Sequence, residues 1–168
     1  MSDISKEILM LDQKFRNATA RLPLVIGNEA VNFTLDNFRM QGFMGNSFQR
    51  WVSRKQGWKK DNRSKRAILI DKGRLRRSIR ITSLSRNHVA IGTDVVYARA
   101  HNEGLRLGVI QTVKGFTRRN GQAVKAHTRK IDQRIPKRQF MGDSPYLRTR
   151  IIRVAKLEYL KEIRFLKT

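Results

Sequence analysis

Between Gln49 and Gly142 the chain carries 25 lysines and arginines against 5 aspartates and glutamates. No other feature limits the fold as strongly. So many like charges cannot be buried and must be spread over surface, loops or extended arms. The flanks differ: residues 1–48 hold 5 basic and 5 acidic side chains, and residues 143–168 hold 7 and 3. The formal net charge is +24 over 168 residues. Such a field attracts a polyanion, with nucleic acid the first to test, or acidic neighbours in an assembly. The charge alone does not choose between them.

A chain of 168 residues fits one domain and can bury a core without covalent staples. It contains no cysteine, which excludes disulfides, thiolate metal sites and cysteine nucleophiles. Apolar runs are short, as in Leu22-Pro23-Leu24-Val25-Ile26. Neither a bilayer span nor a charged-then-apolar leader is legible, so the expectation is a soluble chain or part of a soluble assembly.

Ile4, Ile8, Leu11, Phe15, Ala18 and Leu22 recur at steps of three and four, which places them on one helical face. Asp3 or Ser2 can cap that helix, and Pro23 is expected to stop it or kink it sharply. A second helix is expected from Leu24 to Phe38, with Val25, Ala30 and Phe33 inward and Gly42 and Gly45 ending it. Residues 46–66 read as an irregular basic connector in which Trp51 and Trp58 are interleaved with Arg50, Arg54, Lys55, Lys59, Lys60, Arg63, Lys65 and Arg66. Aromatics among cations can stack on bases and grip phosphates. The reading favoured for the tryptophans is that they pin a loop to the core.

Ala67 to Ile70 is a short apolar run, and Asp71 to Arg77 fits one capped turn of helix. Ser78 to Leu84 and His88 to Thr93 alternate around Arg86-Asn87, the pattern of an antiparallel hairpin. Tyr97 to Glu103 reads as a helix stopped by Gly104. Asn120-Gly121 then separates two β-rich stretches, a signal for a two-residue hairpin loop. Its arms carry Lys114, Arg118, Arg119, Lys125, Arg129 and Lys130 and too few large apolar groups to bury both faces, so the hairpin is expected to project. Asp143 or Ser144 caps a last helix with Pro145 near its first position. Leu147, Ile151, Val154, Leu157 (or Glu158) and Leu160 or Ile163 form its apolar face, opposite Arg148, Arg150, Arg153 and Lys161.

The fold class is therefore α+β: a small, mainly antiparallel sheet flanked by N-terminal and C-terminal helices, with a projecting basic β-hairpin. The expected parts of one domain are helices in 1–45, the connector 46–66, a sheet core in 67–104, the arm 105–135, and a return segment with the last helix in 136–168. No catalytic, metal or cofactor site is predicted. His88, His101 and His127 sit in no metal-ligand pattern. Asp71, Asp94 and Glu103 are the nearest thing to an acidic cluster. The favoured reading makes them a turn cap, a strand end and an arginine partner rather than a nuclease metal site. Residues 42–47 lack the lysine of a phosphate loop.

Residues 69–79 (Leu-Ile-Asp-Lys-Gly-Arg-Leu-Arg-Arg-Ser-Ile), the hairpin ending Ile-Gly-Thr-Asp at 91–94, and residues 97–104 (Tyr-Ala-Arg-Ala-His-Asn-Glu-Gly) carry a more specific signal. With Ile-Pro-Lys-Arg-Gln-Phe-Met-Gly at 135–142, they resemble the tailed-phage virion morphogenesis and tail-completion family over roughly residues 30–165. The residues that carry the resemblance are Gly73, Leu75, Ser78, Tyr97, His101, Gly104, Pro136, Arg138 and Phe140. Their chemistry is that of a fold signature rather than of catalysis. The resemblance implies a non-enzymatic virion component acting in tail completion or head–tail joining, as a ring at the neck or the head-proximal end of the tail. Six copies are expected by analogy with a tail tube. Its expected location is the virion, and the host cytoplasm during assembly. Its expected partners are itself, neck and tail-tube proteins with acidic surfaces, and virion DNA in the channel. Arg118, Arg119, Lys125, Arg129 and Lys130 are the candidate contacts. The alternative is a free nucleic-acid-binding protein acting through residues 49–142.

Overall fold

A computed structural model describes residues 3–54 and 67–164. Trp58 and the connector cations from Lys55 to Arg66 lie outside the described residues. The chain begins with one helix, α1 (Asp3–Met40), that contains Pro23. The expected stop at the proline does not occur. Proline removes one hydrogen bond and costs about 3 kcal/mol in a helix interior, so something must hold the two halves in line. That support comes from α4 (Pro145–Arg164), which packs along α1 on both sides of the proline. Before it, Phe15 meets Tyr159 with ring centroids 5.8 Å apart, and Arg21 pairs with Glu158 (3.5 Å) and Glu162. After it, Arg150 pairs with Glu29 and with Asp36 at 2.9 Å, and Tyr146 meets Phe33.

Of the two residues open for the inward position of α4, Glu158 rather than Leu157 is buried, because Arg21 and Lys161 neutralise it. One side chain of α4 differs from expectation. Arg150 turns inward rather than to solvent. Burial alone would lower its pKa, but hydrogen bonds to Asp36 and Glu29 outweigh that and raise it. Ser144 is the cap: its Oγ accepts the Leu147 N–H (3.2 Å) and donates to the Met44 carbonyl (2.6 Å), with Pro145 first in the helix.

α1 ends where Gln41 adopts φ 57°. Gly42 does not end the helix but opens a short hairpin, β1 (Gly42–Met44) with β2 (Phe48–Arg50), where an irregular stretch was expected. The Gln41 side chain holds that left-handed turn by donating to the Phe38 carbonyl (2.6 Å) and bonding both backbone groups of Ile68. One helical turn, α2 (Arg74–Arg77), precedes the second hairpin, β3 (Arg80–Ser85) with β4 (His88–Gly92), which pairs through Ile81↔Ile91. Then come α3 (Ala98–Glu103) and the arm.

The arm pairs β5 (Leu105–Val113) with β8 (His127–Ile135), and β6 (Phe116–Thr117) with β7 (Ala123–Val124) near its tip. At the tip the Arg118 N–H donates to the Gln122 carbonyl (2.9 Å) and the Gly121 N–H to the Arg118 carbonyl (2.9 Å). Gly121 has φ 82° whereas Asn120 is not left-handed. The connection is thus a three-residue loop, Arg119-Asn120-Gly121, and not the two-residue turn the Asn-Gly pair suggests.

The α+β class holds, with antiparallel pairing throughout the described strands. The single small sheet does not: four two-stranded ladders stand apart. Helix contact replaces strand neighbours. The β3–β4 hairpin lies on α1 at Gly27, where an added Cβ would come within 2.7 Å of Ile81 Cδ1 and Val89 Cγ2. The core gathers Phe38, Trp51, Leu75, Ile79, Val95, Ala98 and Phe140. Gly27→Leu should push the hairpin off the helix and destabilise the chain by about 1–3 kcal/mol, read as a lower midpoint in urea with an unchanged slope. An unchanged midpoint would mean that the hairpin does not depend on this contact.

Candidate functional site

Three segments far apart in sequence meet at the return of the chain from the arm. The backbone of residues 138–141 is the meeting point, and side chains from other elements satisfy its polar groups. Asn102 Oδ1 accepts the N–H groups of Phe140 and Met141, both at 3.0 Å. Asn37 donates to the Phe140 carbonyl (3.1 Å), and Trp51 Nε1 donates to the Gln139 carbonyl (2.6 Å). The Arg138 N–H donates to the His101 carbonyl (2.7 Å). Phe140 itself is buried against Phe38, which meets Trp51 edge-on at 5.5 Å.

Each motif residue has a place at this junction or beside it. Gly73 has φ 72° at the start of α2, and Leu75 fills the core two residues on. The Ser78 hydroxyl donates to the Leu75 carbonyl (2.8 Å) and meets the Thr93 hydroxyl at 2.5 Å, tying α2 to the end of β4. Gly104 has φ 81°, and a Cβ there would lie 3.1 Å from the Lys137 nitrogen, so glycine lets the segment after Pro136 close over the end of α3. Tyr97 stays half-exposed, edge-on to the His101 ring at 5.9 Å. The Arg138 guanidinium is buried and donates to the carbonyls of Val52 (2.9 Å) and Ser53 (3.4 Å). An open cleft of about 460 Å³ is lined by Gly73, Leu75, Tyr97, His101 and Arg138, so all three motif segments share one wall.

The model of the phage virion morphogenesis family matches residues 4–160. The chain belongs to that family. No curated protein and no solved structure matches it. Membership gives the chain a structural and assembly role in a phage virion.

The remaining residues singled out in this phage protein are dispersed. His88, His101 and His127 do not come together, and among the described residues no group of three or more His, Asp or Glu could hold a metal. Asp94 lies 3.6 Å from Arg80, and Glu103 pairs with Arg99 at 3.0 Å. Gly73, not Asp71, occupies the cap position of α2. Among the described residues no helix is long and apolar enough to cross a membrane.

The five candidate cations of the arm are all exposed. Arg118 bonds Gln122 (2.9 Å), and Arg129 is held by Gln111 across the ladder (2.7 and 2.9 Å). The side chains of Arg119, Lys125 and Lys130 make no hydrogen bond or ion pair among the described residues. Sequence reasoning missed Asn37, Asn102 and Gln41, which hold the junction by hydrogen bonds. The available signal was an amide at position 37, four residues after Phe33 on a helical face otherwise read as apolar.

His101 carries the junction's pH dependence. Burial, and then the charge of Arg138, hold its pKa below the ordinary 6.5, and its Nδ1 is buried without a partner. Below that ordinary value the unfolded chain binds a proton that the folded chain resists. Stability therefore falls as pH drops from 6.5 towards the lower folded value. Denaturation midpoints measured between pH 7.5 and about 5 should decline less steeply in His101→Gln than in the parent. Parallel declines would assign the effect to other groups.

Proposed function

We propose that this chain completes the tail and joins it to the head, acting as a ring at the neck or at the head-proximal end of the tail. The observation that carries this reading is the arm. In a chain of the virion morphogenesis family, the basic ladder of β5 and β8 makes its main contacts within itself, and Arg119 and Lys125 towards its tip make no hydrogen bond or ion pair among the described residues. A joint between stacked rings needs such a projection, and a two-stranded ribbon can also enter a DNA groove, so the family supports the first use over the second. Six copies, by analogy with a tail tube, would carry six times +24 formal charges. Counter-charge must then come from acidic surfaces on the neighbouring rings or from DNA in the channel.

The tip is the part that meets a neighbouring ring. Arg118, Arg119 and Lys125 sit on or beside the loop, and Lys130 lies on the charged face of the ladder. An acidic protein surface is the favoured partner. DNA is kept as the second reading because the same cations neutralise phosphates. Changing Arg118, Arg119, Lys125 and Lys130 together to Ser should leave the chain folded and yield separate heads and tails by electron microscopy. Normal infectious yield would remove the arm from joining. Where joining fails, retention of the parent chain on DNA-free particles separates protein contact from DNA contact. Binding to duplex DNA that falls steeply with salt would favour the second reading.

A further inference from the structure

The register of the arm sorts its side chains onto two unlike faces. Partners in an antiparallel ladder point the same way, and alternate residues point opposite ways. Leu105↔Ile135, Leu107↔Gln133, Val109↔Ile131, Gln111↔Arg129 and Val113↔His127 therefore share one face. Arg106↔Arg134, Gly108↔Asp132, Ile110↔Lys130 and Thr112↔Thr128 share the other. The first face is mainly apolar (Leu105, Ile135, Leu107, Val109, Ile131 and Val113), with Gln133, His127 and one cation, Arg129, already held by Gln111, whereas the second carries Arg106, Arg134, Asp132 and Lys130 around Ile110. Leu107 and Val109 remain 41 % and 49 % exposed. An isolated two-stranded ribbon with an uncovered apolar face is marginal in water and needs a partner surface.

A second uncovered apolar strip lies on the same chain. Ile4 and Ile8, 69 % and 61 % exposed, line one side of the first turns of α1 and run on through half-buried Leu11 to Phe15, which already meets Tyr159. Charge decides which surface of a second copy the arm can approach. Residues 105–135 hold eight basic side chains and one acidic, so two arms repel one another. Residues 145–164 of α4 hold six basic and two acidic. α1, with five of each, is the balanced element, and Glu7 and Asp12 flank its strip.

We propose that the apolar face of the arm docks on the N-terminal strip of α1 in the next copy of this chain. The contact is heterologous: the two partners use different patches, so an open series always ends in one free arm and one free strip until it closes. This deepens the ring reading above and supplies its joint. The tip cations point beyond the joint and remain available to another ring.

The test uses the full chain in solution, with mass measured by light scattering at moderate and high salt. The parent should associate beyond a dimer, more strongly at high salt because the surrounding like charges are screened. Leu107→Thr with Val109→Thr should remove the arm face, and Ile4→Gln with Ile8→Gln should remove the strip. All four positions are exposed, so circular dichroism should show a folded chain and light scattering a monomer in each case. Mixed in equal amounts, the two variants should form a heterodimer and stop there, since one carries an intact strip and the other an intact arm. Ile110→Gln, on the charged face, should associate like the parent. A parent that stays monomeric at high salt, a mixture that stays monomeric, or an Ile110→Gln chain that fails to associate would each overturn the joint. A parent that is monomeric in solution yet present at the neck of purified virions would overturn the joint and leave the neck role standing. Association without incorporation into virions would do the reverse.

Discussion

The structure depends on how the backbone of residues 138–141 is satisfied. These residues return from an arm that contributes nothing to the core, so no strand neighbour is available to accept or donate. Three amide or indole side chains from three different places, Asn37, Trp51 and Asn102, supply those bonds. An unmet buried backbone group costs on the order of 1–3 kcal/mol. The network therefore fixes α1, the segment after β2, and α3 relative to one another. Phe140 can then fill the space between Phe38 and the rest of the core. The glycine at 104 belongs to the same device, since the approach of Lys137 leaves little room for a side chain.

That dependence explains what could be read in the sequence. Period and punctuation are local properties, and they located the β3–β4 hairpin, α3 with its Gly104 stop, the arm, and the Ser144-Pro145 start of α4. The motif residues were also legible as a group, because a resemblance does not require knowing why each residue is there. Errors arose where a distant partner overrode a local rule. Pro23 would end an isolated helix, but α4 bridges it. Gly42 looked like a helix stop, but Gln41 takes the strained position, because its side chain bonds residues on both sides of the core. Local pattern left Leu157 and Glu158 open for the inward position, and Arg21, 137 positions away in sequence, decides for Glu158. The Asn-Gly pair located the tip correctly, and the three-residue loop followed from Arg119 joining it.

Two constraints meet in the arm. Copies of a chain at +24 repel one another through the basic middle, so the proposed self-contact uses the places where charge is balanced or absent. The ladder provides one such place by alternation: a strand can carry a basic side and an apolar side at the same time, which a compact loop cannot. Helix α1 provides the other, since its acids and bases are equal in number and its first turns extend an apolar line. The cations then lie where they do not oppose association, at the tip and on the outer face.

Placing the cations outside the joint also gives the assembly an order. An apolar contact strengthens as salt screens the surrounding repulsion, whereas a contact made by Arg119 and Lys125 weakens. On the proposed joint, copies would associate with one another before the charged tips find a partner, and the tips would become a dense array only once the copies are joined. A single tip offers an acidic surface a few weak, exposed ion pairs of at most about 1 kcal/mol each. Several tips held at fixed spacing engage the same surface together, and the effective concentration of each later contact is set by the first. In the proposed ring, weak cations on a repeated arm would thus suffice for a firm junction, because repetition supplies what each single contact lacks.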